Sequence, residues 1–445
     1  MKSVALHNLG CKVNAYELEY MQQTLQEKGY KIVPFDEAAD IYIVNTCTVT
    51  NIADRKSRQM LHRAKKRNPE AVVVAVGCYV QTGKETLETD GTVDLAIGNN
   101  RKKDLVEILE NYLEQRQAQP VFDCIDINQT SVYEEVTLKR TAEHTRAYIK
   151  IQDGCNQFCS YCIIPYARGR VRSRLQEDVV REVEGIAAAG YREIVLTGIH
   201  ISSYGIDRGG CELVPLLETL SGIKGIERIR LGSLEPRIVT EDFARQIYAL
   251  PKVCPHFHLS LQSGSDTVLR RMNRHYDTAA YFEAVELLRK YYEDPAITTD
   301  VIVGFPGETE EEFLQTESFL RRVGFYEMHI FKYSRRQGTR ADTMEGQLTE
   351  AEKARRSERL IALEGEMSRL YRQSFLGKGV EVLFEEVIER EGRTYWIGHT
   401  PHYVKVAVEA REGEQLQNQI AACRIDAFLE GEILLAAETK VLTRQ

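Results

Sequence analysis

The stretch DGCNQFCSYCIIP, residues 153–165, places Cys155, Cys159 and Cys162 within eight positions and supplies no fourth cysteine. A tetrahedral zinc site or a cubane iron–sulfur cluster has four corners to fill. Structural zinc motifs are typically built from two close pairs, so three thiolates point instead to a cluster with one iron open to another ligand. The segment leading into it, AYIKIQDG, reads as a strand. Five more candidates follow: EIVLTGIH, RIRLGSLEP, FHLSLQSGS, TTDVIVGFPGE and EMHIFKYS. Helical stretches such as EDVVREVEGIAAAG and TAAYFEAVELLRKYY separate them. Six strand–helix units predict a partial (β/α)6 barrel, with its chemistry at the C-terminal ends of the strands.

Upstream, SVALHNLG, DIYIVNT and AVVVAVG are short, β-branched and apolar, and helical patterns follow the first two. They predict a small doubly wound α/β domain over residues 1–120. Cys11, Cys47 and Cys78 each stand just past one of these strands. Ligands collect beyond the carboxyl ends of parallel strands. A buried cysteine is often only a small hydrophobe, but three at equivalent junctions predict a second three-thiolate site. Cys124, Cys211, Cys254 and Cys423 share no such pattern and read as structural. GCYVQTGKE resembles a phosphate loop and fails as one. Five residues separate Gly77 from Gly83 where four are needed, and Glu85 replaces the magnesium-binding hydroxyl.

Downstream, a charged helix with Leu360, Leu363, Met367 and Leu370 at three-to-four spacing is expected to pack on the barrel. From residue 376 the pattern changes to five strands, GVEVLFEEV, TYWIGHT, YVKVAV, IAACRIDAFL and EILLAAE, which predict a small β-barrel.

The composition agrees with a soluble multidomain protein: 445 residues, 43% hydrophobic and 28% charged. Ten cysteines in so long a chain favour metal or redox chemistry over a disulfide scaffold. The first residues are too short an apolar run for a signal sequence, and nothing approaches the roughly 18 apolar residues of a membrane span. No membrane partner and a cytoplasmic location are therefore expected. The net charge of −8 excludes indiscriminate nucleic-acid binding but leaves room for a local basic surface.

The CxxxCxxC spacing, Tyr161 before the third cysteine and the strands that follow resemble the radical S-adenosylmethionine superfamily. There the amino and carboxylate groups of S-adenosylmethionine complete the open iron. By that resemblance Tyr161, Gly198, Glu235, Gln262, Asp300 and Arg174 are cofactor neighbours. The motifs LGCKVN, NTCTVT, GCNQFCSYCIIPYARG, QSGS and VGFPGE together resemble the radical S-adenosylmethionine methylthiotransferase family over nearly the whole chain. The resemblance implies a methylthiotransferase domain (1–120), a radical domain (141–372) and an OB-like TRAM barrel (376–442). It further implies two 4Fe–4S clusters, an auxiliary one on Cys11, Cys47 and Cys78 and a radical one on Cys155, Cys159 and Cys162, and two S-adenosylmethionine molecules per product. One methylates a sulfur by polar transfer; the other yields a radical that takes hydrogen from carbon 2 of an adenine. A sulfur source and an electron donor such as flavodoxin or ferredoxin are implied as partners.

LGCKVN, TCTVTNIADRKSRQ and TGIHISSYG look most like the branch that acts on threonylcarbamoyladenosine at position 37 of tRNA. The alternatives are isopentenyladenosine in tRNA, a ribosomal-protein aspartate and, outside the family, a non-catalytic metal-bearing RNA-binding protein. RKSRQMLHRAKKR, residues 55–67, has seven Lys or Arg and no acid. Arg55, Lys56, Arg58, Arg63, Lys65 and Lys66 are accordingly expected to meet tRNA phosphates. RGRVRSR, residues 168–174, is a second candidate, and Tyr395, Trp396 and Tyr403 are candidate base-stacking rings, with core filling favoured for Trp396. Residues 373–445 hold 8 basic and 12 acidic residues, a net −4, so the last domain is not expected to be the main phosphate grip.

Overall fold

The computed structural model describes residues 2–115, 120–139 and 145–442, and of residue 438 only the backbone. The expected domain boundary at 120 borders a stretch outside the described residues, and the one at 141 lies outside them.

The N-terminal unit runs β1 (Ser3–Asn8), α1 (Lys12–Glu27), β2 (Lys31–Val33), β3 (Ile41–Thr46), α2 (Asn51–Arg67) and β4 (Val72–Gly77). It continues with α3 (Cys78–Thr82), α4 (Lys84–Asp90), β5 (Leu95–Ile97), α5 (Leu105–Gln115) and β6 (Val121–Asp123). All six strands are parallel, in the order β2-β1-β3-β4-β5-β6. Separate apolar clusters cover the two faces, as a doubly wound sheet requires. The sequence reading found β1, β3 and β4 only. The others are three residues each, too short to print a period. The chain reverses direction across the sheet between β1 and β3, so their carboxyl ends flank a topological switch point.

The middle unit opens with β7 (Arg146–Lys150), the hairpin strands β8 (Gln152–Asp153) and β9 (Arg172–Ser173) with α6 (Ile164–Arg168) between them, and α7 (Gln176–Ala188). Then come β10 (Glu193–Thr197), α8 (Leu213–Ser221), β11 (Arg228–Leu231), α9 (Glu241–Tyr248) and β12 (His256–His258). It closes with α10 (Asp266–Arg271), α11 (Thr278–Tyr291), β13 (Ala296–Val303), α12 (Glu310–Val323), β14 (Glu327–Lys332) and α13 (Glu350–Gln373). Two parallel sheets, β11-β10-β7 and β12-β13-β14, are joined by the isolated pairs Ile229↔Val253 and Leu234↔Leu259. The result is a six-stranded partial barrel with helices outside. Alternate strand residues such as Ile149, Ile194, Leu196 and Ile229 form the core under those helices. Leu360 and Leu363 of α13 join that core and Met367 packs against it, whereas Leu370 is exposed.

The C-terminal unit, β15 (Gly379–Arg390), β16 (Arg393–His399), β17 (Lys405–Glu409), β18 (Ile420–Glu430) and β19 (Ile433–Val441), closes as a five-stranded barrel. It docks on the amino-terminal ends of the middle strands: Arg228 donates to the carbonyls of His399 and Glu381 at 2.9 and 3.1 Å, and Arg230 to that of Pro401 at 2.9 Å. Among the described residues no helix is long and apolar enough to cross a membrane.

Candidate active site

The three N-terminal cysteines sit where parallel strands end. Cys11 precedes α1 after β1, Cys47 follows β3, and Cys78 opens α3 directly after β4. Cys11 is exposed, whereas Cys47 and Cys78 are buried. Their approach is close. Gly10 has φ +108°, and a Cβ there would stand 3.1 Å from the Cys47 sulfur, so only glycine lets the two loops meet. Burial pushes the Cys47 thiol up to about 11, with Cys78 and Cys11 contributing.

Cys155, Cys159 and Cys162 lie on the loop between β8 and α6. Gly154, φ +73°, turns the chain into it; a Cβ there would fall 1.9 Å from the Arg170 carbonyl oxygen. Neighbouring segments clamp the loop. Ser160 donates its backbone N–H to Met272 O at 2.9 Å and its hydroxyl to Arg271 O at 2.8 Å, while the Ala341 amide donates to Ser160 O at 2.7 Å. Tyr161 packs with Val268, Met272, Phe305, Tyr333 and Ala341, a wedge between two of the cysteines. The Arg274 guanidinium stands 3.1 Å from the Cys159 sulfur. Burial pushes the Cys155 thiol up to about 11 and raises Cys162, with Cys159 reinforcing both.

Six soft donors in two threes, each with an arginine on one sulfur, fit the three-thiolate coordination of a 4Fe–4S cluster. Buried thiols held protonated by their surroundings become ligands when a cationic metal core supplies the missing positive charge. Among the described residues no three His, Cys, Asp or Glu side chains are drawn in around a single-ion centre.

Arg168 ends α6, the helix that follows Cys162, and its contact with a cysteine of the first set was not read from sequence. It is fully buried. Its Nε donates toward the Cys78 sulfur at 3.3 Å, and its terminal nitrogens reach Glu17 at 2.9 and 3.0 Å, Asp153 at 3.0 Å and Asn14 at 2.6 Å. Lys150 also meets Glu17 and Asp153, both at 2.7 Å, and Lys102 pairs with Glu17. Burial would raise the Asp153 carboxyl, but Arg168 and Lys150 outweigh it and hold that group well below the ordinary range.

Of the remaining predicted cofactor neighbours, Gly198, Glu235 and Gln262 stand past the ends of their strands and Asp300 lies within β13. Gly198 follows β10, and a Cβ there would press on Gln152 and Ile201 at 3.0 Å. Glu235 follows β11, is buried, and pairs with Arg237 at 2.5 Å. Gln262 lies beyond β12 with φ +71°. Asp300, on β13, faces His258 at 3.4 Å. Arg174 is a correction. It is fully buried and ion-paired with Glu182 and Glu135, with a further bond to Thr137, so its donors are engaged away from the cysteines. Burial of Arg168, Arg172 and Arg174 likewise leaves only Arg170 of RGRVRSR exposed, so this stretch offers no phosphate grip.

On α2, Arg55, Lys56, Arg63 and Lys66 are exposed, and among the described residues none has an ion-pair partner. Arg58 instead donates to the Tyr79 hydroxyl at 2.7 Å and Lys65 pairs with Asp94 at 2.9 Å, so these two serve the domain interior. The candidate stacking rings are occupied as well. Tyr395 and Trp396 are buried in the last barrel, and Tyr403 is flanked by Arg146 and Arg230 with its centroid 4.8 and 4.7 Å away.

A barrel with three clustered cysteines at its mouth defines a radical S-adenosylmethionine enzyme. The Radical SAM superfamily model matches residues 149–320, and the model described as uncharacterized protein family UPF0004 matches residues 3–98. The superfamily implies S-adenosylmethionine and one 4Fe–4S cluster. The chain belongs to the radical S-adenosylmethionine tRNA methylthiotransferases. It is 41% identical to the threonylcarbamoyladenosine tRNA methylthiotransferase MtaB of Bacillus subtilis, over 93% of this chain and 91% of that one. Identity to the protein of the same name from Thermotoga maritima is 36%, over 97% and 99%. The tRNA-2-methylthio-N(6)-dimethylallyladenosine synthase of Thermoanaerobacter pseudethanolicus is 37% identical over 87% and 83%. Among solved structures, the radical S-adenosylmethionine methyltransferase TsrM of Kitasatospora setae aligns with a TM-score of 0.56 at 18% identity, over 74% and 73% of the chains, a likeness of fold.

Proposed function

We propose that this chain adds a methylthio group to carbon 2 of N6-threonylcarbamoyladenosine at position 37 of tRNA. The observation that supports the reading is Arg168, on the helix that follows Cys162, whose Nε lies 3.3 Å from the Cys78 sulfur and so ties the loop of the second cysteine set to a cysteine of the first. In this reading Cys155, Cys159 and Cys162 hold the radical cluster, and Cys11, Cys47 and Cys78 hold a second 4Fe–4S cluster. Bound there, the clusters and two S-adenosylmethionine molecules per product supply the hydrogen-abstracting radical, the sulfur and its methyl group.

The chain's own residues position and balance charge. Arg274 and Arg168 each offset thiolate charge at one sulfur. Gly198, Glu235, Gln262 and Asp300 frame the cofactor. Arg55, Lys56, Arg63 and Lys66 present four cations to the tRNA backbone. A cytoplasmic location, a sulfur source and a flavodoxin- or ferredoxin-type electron donor complete the proposal.

The test is mass spectrometry of tRNA nucleosides from cells with and without the gene. Loss of the 2-methylthio form of threonylcarbamoyladenosine, with its precursor accumulating, is the expected result. Loss of the isopentenyl form instead would move the substrate to the sister branch. No change in either would sink the tRNA assignment.

A further inference from the structure

The chain that follows α10 grips the radical loop residue by residue. α10 stops in a left-handed turn: Asn273 has φ +58°, its N–H donates to Arg270 O at 3.0 Å, and the N–H of Arg274 donates to Leu269 O at 2.9 Å. This pair of bonds is a helix C-terminal cap, and asparagine is one of the few residues with a side chain that tolerates its backbone. The cap reverses the chain toward the cysteines. The carbonyls of Arg271 and Met272 accept from Ser160, Asn273 Nδ2 donates to Phe158 O at 3.1 Å, and Arg274 Nη1 stands 3.1 Å from the Cys159 sulfur.

Arg274 is itself braced. Its Nε donates to the Tyr276 hydroxyl at 3.0 Å, and its guanidinium carbon lies 4.8 Å from the centroid of that ring. Tyr276 is buried and donates its hydroxyl to Leu261 O at 2.9 Å. Among the described residues the side chain of Arg274 hydrogen-bonds a tyrosine and a thiol and no carboxylate. Glu235, the acid past the end of β11, is paired instead with Arg237. Arg168 differs, since it hydrogen-bonds Glu17 and Asp153 as well as Cys78. Of the groups that Arg274 touches, only Cys159 becomes an anion when it ligates a metal.

We infer that Arg274 is a positioning residue of the radical site, which holds the Cys159 thiolate and raises the potential at which the cluster there accepts its electron. The inference rests on the assignment of Cys155, Cys159 and Cys162 to that cluster under the proposed function. One electron passes from an external donor to the cluster and then to the sulfonium of S-adenosylmethionine, whose S–C5′ bond breaks to give methionine and a carbon radical. The cluster therefore carries one more negative charge before the bond is cut. A fixed cation hydrogen-bonded to a ligand sulfur stabilises that added charge, and hydrogen bonds to the sulfurs are among the determinants of a cluster's potential.

The test is a redox titration of the anaerobic, cluster-loaded full chain, with Cys11, Cys47 and Cys78 replaced by Ala so that a single cluster signal is followed by electron paramagnetic resonance. Arg274→Gln is expected to make electron uptake about tenfold less favourable, a midpoint potential about 59 mV more negative, with iron per chain unchanged. Arg274→Lys keeps the charge and should recover most of that shift. An unchanged midpoint in the loaded Gln variant overturns the inference. So does a Lys variant shifted as far as the Gln one, the result expected if Arg274 only shapes the loop. Tyr276→Phe removes the brace and should move the midpoint the same way by less; where Arg274→Gln does not retain iron, an unmoved Tyr276→Phe midpoint overturns the inference. Failure of the cysteine assignment is read separately, as a parent protein that holds no cluster once Cys11, Cys47 and Cys78 are replaced, and it takes the inference with it. The titration contains no RNA, so its outcome is independent of which nucleoside is the substrate.

Discussion

The Nε of Arg168 lies 3.3 Å from the sulfur of Cys78, although the two residues are 90 positions apart. Arg168 ends the short helix that begins two residues after Cys162. One rigid turn thus ties the loop of the second cysteine set to a cysteine of the first, and the same guanidinium holds Glu17 of α1. Arg168→Gln is expected to lower unfolding free energy by about 3 kcal/mol, because it strands buried acids in a low-dielectric wall. Arg168→Lys should fall between, since an ammonium cannot serve four acceptors in a fork. Urea unfolding of the loaded protein measures both, and a Gln variant as stable as wild type would contradict the role given to Arg168.

The two cysteine sets should be separable by iron content. Replacing Cys11, Cys47 and Cys78 together with Ala is expected to remove about half of the bound iron and leave reductive cleavage of S-adenosylmethionine intact. Replacing Cys155, Cys159 and Cys162 should remove the other half and abolish cleavage. Iron assay and detection of 5′-deoxyadenosine check each; equal iron loss with equal loss of cleavage would contradict two independent clusters.

Arg336, in the loop after β14, clasps the start of α2. It donates to Thr48 at 2.7 Å, Asn51 at 2.8 Å and Asp54 at 2.6 Å. Arg336→Ala removes three bonds that hold the Cys47 loop against the barrel, at a cost of about 2 kcal/mol. Hydrogen exchange should quicken at residues 48–54 in that variant and stay unchanged in the C-terminal barrel.

Burial lowers His200 and His402, each to about 4. The unfolded chain binds protons on these rings below about pH 6.5 while the folded one does not until about pH 4. Stability is therefore fully present above pH 6.5 and declines as pH falls toward 4, by up to about 1.4 kcal/mol per pH unit for each ring. A His402→Asn protein should show a shallower decline across that window in urea titrations.

Gly154→Ala should empty the radical loop while leaving the N-terminal unit folded. Its φ of +73° and the 1.9 Å approach to Arg170 O admit no Cβ without moving the backbone that sets Cys155. Iron should fall by about half, the same loss as replacing the three cysteines of that loop.

Local chemistry was legible because it is periodic. Six barrel strands, five C-terminal strands and three of the N-terminal strands announce themselves by alternation or β-branched runs, and the chain rule for parallel sheets puts Cys11, Cys47 and Cys78 at one edge. The three-residue strands β2, β5 and β6 left no such mark and form because neighbouring strands offer them hydrogen bonds.

The sequence by itself determined the longer strands and helices in their order, the two cysteine triplets and the open corner that each would leave. Only tertiary structure decided which charges are buried and what they face. Within RGRVRSR one arginine touches Cys78, one is locked to Glu182 and one remains outside, and nothing local distinguishes them. The partners of Arg168 stand up to 154 residues away. Side-chain periodicity reports which way a residue points within its own element, whereas an ion pair across two domains is set by how those elements pack.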